Sequence, residues 1–275
     1  MRDTRRAFLL LAALTAGAAG AVWAGARPSH DRTWSTEQAV LPRVSITDSL
    51  VHVRGVRDFR YPAPDTLVPG YYDRTYDARQ VETVWYALSP FGTDFRGFAH
   101  AFLSFGFHDS TFVSVSVEAR REAGESYSTV LGALRGFELM FVIGDERDLI
   151  PLRAATWGDP IYLYPGRATP AEAQALFLHM MRRARDLERR PEFYHTISNN
   201  CVTNIVDAVN QLRDEPVGYG RRVLLPGFSD ELAHELGLLD TDLSIDDARR
   251  RFAVDSAVAA ASLHRADFSQ RIRAQ

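Results

Sequence analysis

The chain has 275 residues, a formal net charge of −3 and one cysteine, with 46% hydrophobic and 24% charged residues. This balance is typical of a globular protein with a substantial core, and there is no basic excess to indicate nucleic acid as a partner. A single cysteine excludes an internal disulfide, so the fold must depend on its core alone.

The first 26 residues have the pattern of an export signal. A basic start at residues 1–6 precedes an uncharged run at residues 7–26, which ends in Ala24-Gly25-Ala26, a sequence similar to a signal-peptide cleavage site. The run is close to the roughly 20 residues that span a membrane, so an uncleaved anchor is an alternative. Residues 4–9 also resemble a twin-arginine export signal. We therefore predict a location in the periplasm or cell envelope, either secreted or anchored at the N-terminus.

The rest of the chain divides into three segments. Residues 27–45 are polar and contain Pro28 and Pro42, which indicates a linker. Residues 46–245 should form the main domain. Residues 246–275 should form a C-terminal helical tail, with one helix over residues 246–271.

Strand patterns come first in the domain and helical patterns second. Runs of β-branched, aromatic and alternating residues predict strands within 44–65, 81–86, 98–107, 112–120, 138–144 and 161–164. Thr169 to Glu172 form a capping box with proline at the first helical position, and this helix should end near Arg189. A shorter helix should run from Pro226 to Leu236, with Gly237 as its C-cap. This order indicates an α+β fold rather than alternating strands and helices.

The lone cysteine, Cys201, lies at a predicted helix start. Apolar residues recur at helical spacing after it, and Asn199 or Asn200 is a suitable N-cap. The free N–H groups and the dipole of a helix N-terminus favour a thiolate, so Cys201 is a candidate nucleophile with a lowered pKa and partial exposure. The alternative is a small buried apolar residue, which is a common environment for free cysteine.

A histidine that fits as the partner lies in the predicted hairpin of the first half. Alternation places His100 and Ser104 on one face of the first strand, and Ser116 and Glu118 on one face of the second. If the helix bearing Cys201 packs across this face, a Cys–His pair oriented by a third polar group results.

The hairpin loop sets the register of these side chains. A three-residue loop at 109–111 would pair Ser104 with Ser116. Glu118 would then be a diagonal neighbour of His100, about 7–8 Å away at the backbone.

Other interpretations of the same residues stay open. His100 could be a hydrogen-bonded core histidine, and Glu118 could pair with Arg120 or Arg121. His195 is close to the cysteine in sequence and is a second candidate base. The histidines share no metal-ligand spacing, and the sequence has neither a phosphate-binding glycine loop nor a serine-nucleophile motif, so we expect no metal and no cofactor.

Five motifs in the domain carry a resemblance to a known family. They are FAHAFLSF (98–105), SVEARRE (116–122), ELMFV (138–142), DERD (145–148) and PEFYHTISNNC (191–201). In this order they resemble the bacterial periplasmic domain named after the lipoprotein acyltransferase Lnb, over about residues 48–239. The family's usual Asn-Asn-Cys-Thr is Asn-Asn-Cys-Val here.

The resemblance implies a permuted papain-like fold, in which an antiparallel sheet or half-barrel packs on helices and a strand histidine precedes a helix cysteine. It implies Cys201 as nucleophile and His100 as base, with weaker support for Glu118 as the orienting group. The neighbouring polar residues expected to contact substrate are Ser104, Ser116, Asn200 and Tyr194.

The function that the resemblance implies is an exported cysteine-dependent acyltransferase or hydrolase acting on lipoprotein or lipid acyl groups through an acyl-thioester. Two alternatives stay open, a cell-wall peptide amidase or peptidase with the same residues and a non-catalytic periplasmic binding domain. The expected partners are a lipoprotein, lipid or cell-wall peptide substrate and a membrane surface, and the sequence leaves the oligomeric state open.

Overall fold

The computed structural model describes residues 20, 25–63, 66–92 and 95–274, with the backbone alone at 155–157. Most of the predicted leader lies outside the described residues. The strands are β1 (Arg43–Thr47), β2 (Leu50–Arg57), β3 (Arg60–Ala63), β4 (Thr66–Val68), β5 (Tyr71–Asp77), β6 (Val81–Pro90), β7 (Ala99–Phe107), β8 (Phe112–Arg120), β9 (Glu138–Gly144) and β10 (Tyr162–Pro165). The α-helices are α1 (Thr129–Ala133), α2 (Glu146–Pro151), α3 (Pro170–Arg189), α4 (Cys201–Asn210), α5 (Arg221–Leu224), α6 (Ser229–Glu235), α7 (Ile245–Arg251), α8 (Ser256–Ser262) and α9 (Phe268–Arg271).

Eight strands form one sheet in the order β1-β2-β9-β8-β7-β6-β10, and β5 pairs with β2 outside this path. The pairs are antiparallel except β2 with β9, which meet in parallel at Arg57 and Gly144. Strands β3 and β4 form a separate two-stranded sheet. The predicted α+β class is confirmed by this mixture of a mostly antiparallel sheet with helices.

The sheet is covered on both faces, which explains why β7 and β9 are buried along their whole length. On the first face, side chains of β7 such as Leu103 and Phe105 pack with helices α3 and α4. On the second face, Phe102 packs with Met140, with α2 and with the C-terminal helices α8 and α9. The alternation of β7 therefore sorts its side chains into two separate cores.

The predicted start of the long helix is confirmed. Thr169 and Glu172 form a reciprocal capping box, and α3 ends at Arg189. The single helix predicted over residues 246–271 is wrong, because three short helices occupy this segment and Ser244 and Asp255 cap the starts of α7 and α8. Among the described residues, no helix combines the length and the apolar character needed to cross a membrane.

The register of the β7–β8 hairpin differs from the predicted one by two residues. Ser104 pairs with Ser114, and Phe102 pairs with Ser116. The Phe107 N–H donates to the Thr111 carbonyl, and Ser110 has a φ of 63°. The loop therefore has the predicted three residues but lies one position earlier, which keeps every side chain on its predicted face.

Part of the segment expected to be a linker lies against the sheet. The amide of Gln38 donates to the Ala119 carbonyl, and its oxygen accepts from the Arg121 N–H. The Arg120 guanidinium in turn donates to the carbonyls of Gln38 and Ala39. This segment thus covers the end of β8, close to the polar residues described next.

Candidate active site

Cys201 is the first residue of helix α4, as predicted. The Asn200 side chain accepts a hydrogen bond of 2.9 Å from the Thr203 N–H, and the Thr203 hydroxyl accepts one of 2.8 Å from the Asn200 N–H. This reciprocal cap fixes where the helix begins. The Asn200 amide nitrogen also donates to the Thr196 carbonyl, so both ends of this side chain have partners within the protein.

The Cys201 thiol is enclosed. The residue is 3% exposed and packs in the apolar core of the first face. Burial raises the pKa of the thiol, although the backbone N–H groups of Ala101 and Val202 and the charge of Arg153 act in the opposite direction. The expectation of a partly exposed, acidified thiol is therefore wrong for this conformation, in which Cys201 is a neutral thiol at neutral pH.

A directed chain of hydrogen bonds links three of the predicted site residues. His100 Nε2 lies 2.6 Å from Ser116 Oγ, and the Ser116 hydroxyl donates to Glu118 Oε1 at 3.0 Å. Because a hydroxyl has one hydrogen and Ser116 gives it to the carboxylate, the Nε2–H must donate to Ser116. The lone pair of His100 is then on Nδ1, which makes no hydrogen bond with the described residues.

The charges of this chain follow from burial and from two arginines. Burial lowers the pKa of His100 to about 3, and the charge of Arg153 acts in the same direction. Burial alone would raise the pKa of Glu118, but the nearby charges of Arg57, His100 and Arg153 lower it to about 2. At neutral pH this hydrogen-bonded chain therefore consists of a neutral His100 imidazole, the Ser116 hydroxyl and an ionised Glu118 carboxylate.

A second layer of buried polar groups, which the sequence interpretation missed, holds Glu118 and its surroundings. The Gln38 amide donates to Glu118 Oε2 at 3.1 Å. Arg57 donates to both oxygens of Asp148, at 2.7 and 3.1 Å, and Asp148 also accepts from the Tyr61 hydroxyl at 2.9 Å. Asp148 belongs to the DERD motif, and this motif is the feature of the sequence that could have identified Asp148 as part of the site.

The cysteine and the histidine approach from opposite faces of the same strand. His100 is in ring contact with Phe102 on the second face, whereas Cys201 packs on the first. The pairing of β7 with β8 ends at Phe102, so His100 and Ala101 lie where the two strands are no longer paired. The backbone N–H of Ala101 is among the groups that lower the pKa of the Cys201 thiol, which places the thiol near the residue next to His100. No hydrogen bond joins Cys201 to His100 within the described part of the chain.

The remaining predicted site residues have different surroundings. Ser104 is fully buried on the face of His100, but its hydroxyl donates to Glu146, which pairs with Arg273. Tyr194 is buried on the side of Cys201, and its hydroxyl is 3.4 Å from that of Tyr127. The structure therefore brings Ser116 into the His100 chain and leaves Ser104 in a separate network.

Two other residues bear on the choice of base. His195 Nδ1 accepts from the N–H groups of Ile197 and Ser198 and so closes a turn. Ser89 pairs with His100 across β6 and β7, and its buried hydroxyl has no partner among the described residues. Ser89 is thus a further polar group beside His100 that the sequence did not reveal. The described residues contain no group of histidine, cysteine and carboxylate side chains that could hold a metal ion.

Comparison with known proteins identifies the family. The family model described as the Lnb N-terminal periplasmic domain matches residues 69–223, more than half of the chain. The chain therefore belongs to this family, and the predicted location in the periplasm or cell envelope is confirmed by the family's description. The matched region contains His100, Ser116, Glu118 and Cys201. Searches of curated proteins and of solved structures found no match to this chain.

Proposed function

We propose that the chain is a cysteine-dependent acyltransferase or hydrolase of the cell envelope, acting on lipoprotein or lipid acyl groups and built like a permuted papain. The observation that carries this proposal is the directed chain from His100 through Ser116 to Glu118, which leaves the Nδ1 lone pair of a strand histidine as a base. The position of Cys201 at the capped start of a helix, next to Ala101, supplies the nucleophile.

The reaction begins with proton transfer from the Cys201 thiol to His100 Nδ1 as the sulfur attacks an ester carbonyl. Backbone N–H groups at the start of α4 then stabilise the oxyanion of the tetrahedral intermediate. Collapse breaks the carbon–oxygen bond, and the alcohol leaves with the proton from His100. An amine or water next attacks the thioester and His100 takes its proton. The carbon–sulfur bond then breaks, His100 returns the proton to the leaving sulfur, and the thiol is restored as the acyl product departs.

The closed conformation bears on how this site would be used. Cys201 is 3% exposed and neutral, and His100 has a lowered pKa, so a stable thiolate–imidazolium pair is not the resting form. In the proposed mechanism the two groups exchange a proton only when substrate opens the site where β7 and β8 separate. Closure in the absence of substrate would also protect a lone thiol in an oxidising compartment.

The test is to trap the acyl-enzyme. The full-length protein is incubated with a diacylated lipopeptide or a long-chain nitrophenyl ester, and the intact mass is measured. We expect one acyl adduct that maps to Cys201, is released by neutral hydroxylamine and is absent in Cys201→Ala. The proposal would be contradicted if no acyl donor formed an adduct and if the Cys201 thiol reacted with alkylating reagents only after unfolding. Turnover of cell-wall peptides but not of esters would instead favour an amidase.

A further inference from the structure

A cavity of about 600 Å³ lies beside the end of β8, and its lining includes none of His100, Ser116 and Glu118. Its polar lining consists of His30, Arg43, Arg54, Arg120 and Glu188, and the apolar part comes from residues 39–41. Such a volume is in the range of roughly 300–1,000 Å³ that small-ligand sites have in proteins. Three arginines against one carboxylate give the cavity a positive charge.

Arg120 is a buried cation with an unused donor. The residue is 3% exposed, and its guanidinium lies 4.0 Å from the centre of the Trp34 ring. Its Nε and Nη2 groups donate to the Gln38 and Ala39 carbonyls at 2.9 Å, while the buried Nη1 has no hydrogen-bond partner among the described residues. Leaving a buried donor of a charged group unsatisfied is unfavourable, so the Arg120 Nη1 group is a candidate donor to a further acceptor.

His30 supplies a second unused polar atom in the same cavity. Its Nε2 is 2.8 Å from the Leu187 carbonyl oxygen, and because a carbonyl only accepts, the hydrogen of a neutral imidazole must be on Nε2. The Nδ1 lone pair is buried and has no partner within the described chain. The cavity thus combines cationic donors with an acceptor.

We propose that this cavity binds a phosphate group that carries, or lies beside, a hydroxyl. Guanidinium groups match phosphate oxygens in geometry and charge, so Arg120 and the rim residue Arg54 would hold the anion. The hydroxyl of a hydrogen phosphate, or of a glycerol headgroup attached to a phosphodiester, would donate to His30 Nδ1. Sulfate offers the same negative oxygens but no hydroxyl and should therefore bind more weakly. The Arg43 guanidinium lies 3.6 Å from Glu188 and is less available.

Nothing in this proposal depends on Cys201 chemistry. Gln38 connects the cavity with the His100 chain, because its carbonyl accepts from Arg120 and its amide donates to Glu118. A bound phosphate would stabilise the segment that carries Gln38. Loss of acyl transfer in a Cys201 variant leaves the phosphate proposal intact, and loss of phosphate binding leaves the acyl-enzyme test unaffected.

The experiment has two arms that distinguish the sources of the phosphate. Isothermal titration calorimetry of the full-length protein compares inorganic phosphate with sulfate at matched ionic strength. Vesicle co-sedimentation compares phosphatidylglycerol with phosphatidylcholine. Both arms use Arg54→Gln, which lies on the rim, and Arg120→Gln, with Arg250→Gln as a matched control on the exposed surface.

We expect each cavity variant to weaken phosphate or phosphatidylglycerol binding by about tenfold, the effect of losing one charge-assisted hydrogen bond, while Arg250→Gln binds like the natural protein. Binding in the calorimetric arm indicates a free phosphate, and binding in the vesicle arm alone indicates a lipid headgroup. The proposal is overturned if neither ligand binds saturably, if sulfate binds as tightly as phosphate, or if Arg54→Gln binds unchanged. The Arg54 side chain makes no hydrogen bond or ion pair with the described residues, so its substitution should leave the fold intact.

Discussion

The two faces of strand β7 differ in chemistry although both are buried. The first face is mostly apolar and packs against α3 and α4, with the Cys201 thiol at the strand end. The second face holds His100, Ser104, Ser114 and Ser116 in the interior. Apolar packing stabilises a fold without further conditions, whereas buried polar groups require satisfied hydrogen bonds. A sheet that keeps a polar interior on one face therefore indicates a use for those groups beyond packing.

Groups from the two faces of β7 can approach each other where the strand is no longer paired with β8. A continuous ladder would separate Cys201 from His100, because adjacent residues of a strand point to opposite faces. The β7–β8 pairing ends at Phe102, and the Ala101 N–H acts on the Cys201 thiol at that point, where it lowers the pKa of the thiol.

The largest effect should come from the two groups at the strand end. We expect Cys201→Ala to remove the acyl-enzyme entirely and His100→Gln to lower kcat/KM by about 10²–10⁴-fold, the usual contribution of a general base. The double variant should be little worse than either single one, because the two act as a unit. Steady-state kinetics with a nitrophenyl ester measures both effects.

His195→Gln is the matched control for this pair. Since His195 Nδ1 closes a local turn, the variant should keep most of the activity. If His195→Gln loses as much activity as His100→Gln, then the second face of β7 is not the source of the base.

The next effect concerns stability rather than activity. Asp148 is fully buried and accepts from Arg57, Tyr61 and the Phe59 N–H. Asp148→Asn leaves the Arg57 charge without its partner, so we expect a loss of about 3–5 kcal/mol in the free energy of unfolding. Denaturant unfolding measures this quantity.

A surface ion pair provides the matched comparison. Asp186 pairs with Arg185 and is more than half exposed, so Asp186→Asn should cost about 0–1 kcal/mol. Equal losses in the two variants would show that the polar layer behind Glu118 is not held as a buried network.

The pH dependence of stability should report the buried state of His100. Its folded pKa of about 3 lies below the ordinary 6.5, so the unfolded chain takes up the proton first as the pH falls. The free energy of unfolding should therefore decrease from pH 6.5 downward, by at most about 1.4 kcal/mol per pH unit for one proton. Glu118, with a folded pKa of about 2 against 4.5, adds a decrease in the same direction below pH 4.5.

His100→Gln identifies the histidine's share of this slope. Glutamine does not titrate, so the variant should show a flatter pH dependence between 6.5 and 4.5 than the natural protein. The measurement is the denaturation midpoint at pH 7.5 and at pH 5. The half-buried His179 also has a pKa lowered by burial and contributes to the slope in both proteins. Identical slopes in the two proteins would mean that His100 takes up its proton as readily in the folded state as in the unfolded chain.

The residues of this site differ in how far the sequence could predict them. Alternation along β7 and β8 predicted which side chains share a face, and capping chemistry predicted the first residue of α4, because both depend on local geometry. The register of the β7–β8 hairpin was not predicted correctly, because it depends on the position of the loop, where Ser110 adopts a positive φ. Local patterns favour no single position for such a turn.

The second layer lies beyond any local pattern. The parallel contact of β2 with β9 brings Arg57 and Asp148 together. Gln38 belongs to a segment that the sequence predicts to be a linker. The burial that raises the pKa of Cys201 is likewise a property of the packed molecule, so the sequence predicted the position of the thiol but the wrong direction of its pKa shift.

The smallest effect should separate two serines on the same face. Ser116 accepts from His100 and donates to Glu118, whereas Ser104 donates to Glu146. Ser116→Ala breaks the chain that keeps the lone pair on Nδ1, so we expect kcat to fall about tenfold with KM nearly unchanged, the effect of about one hydrogen bond. Ser104→Ala removes a hydroxyl of the same size and burial, and kcat should stay within about twofold.

The pH profile of kcat/KM distinguishes orientation from simple packing in this pair. Ser116→Ala should change the shape of the profile, because it uncouples His100 from the Glu118 carboxylate, whereas Ser104→Ala should only lower the melting temperature. If both variants reduce kcat equally and keep the natural profile, then Ser116 acts through packing alone. Glu118 would then hold no part in orienting the histidine, and the polar face of β7 would have a structural role only.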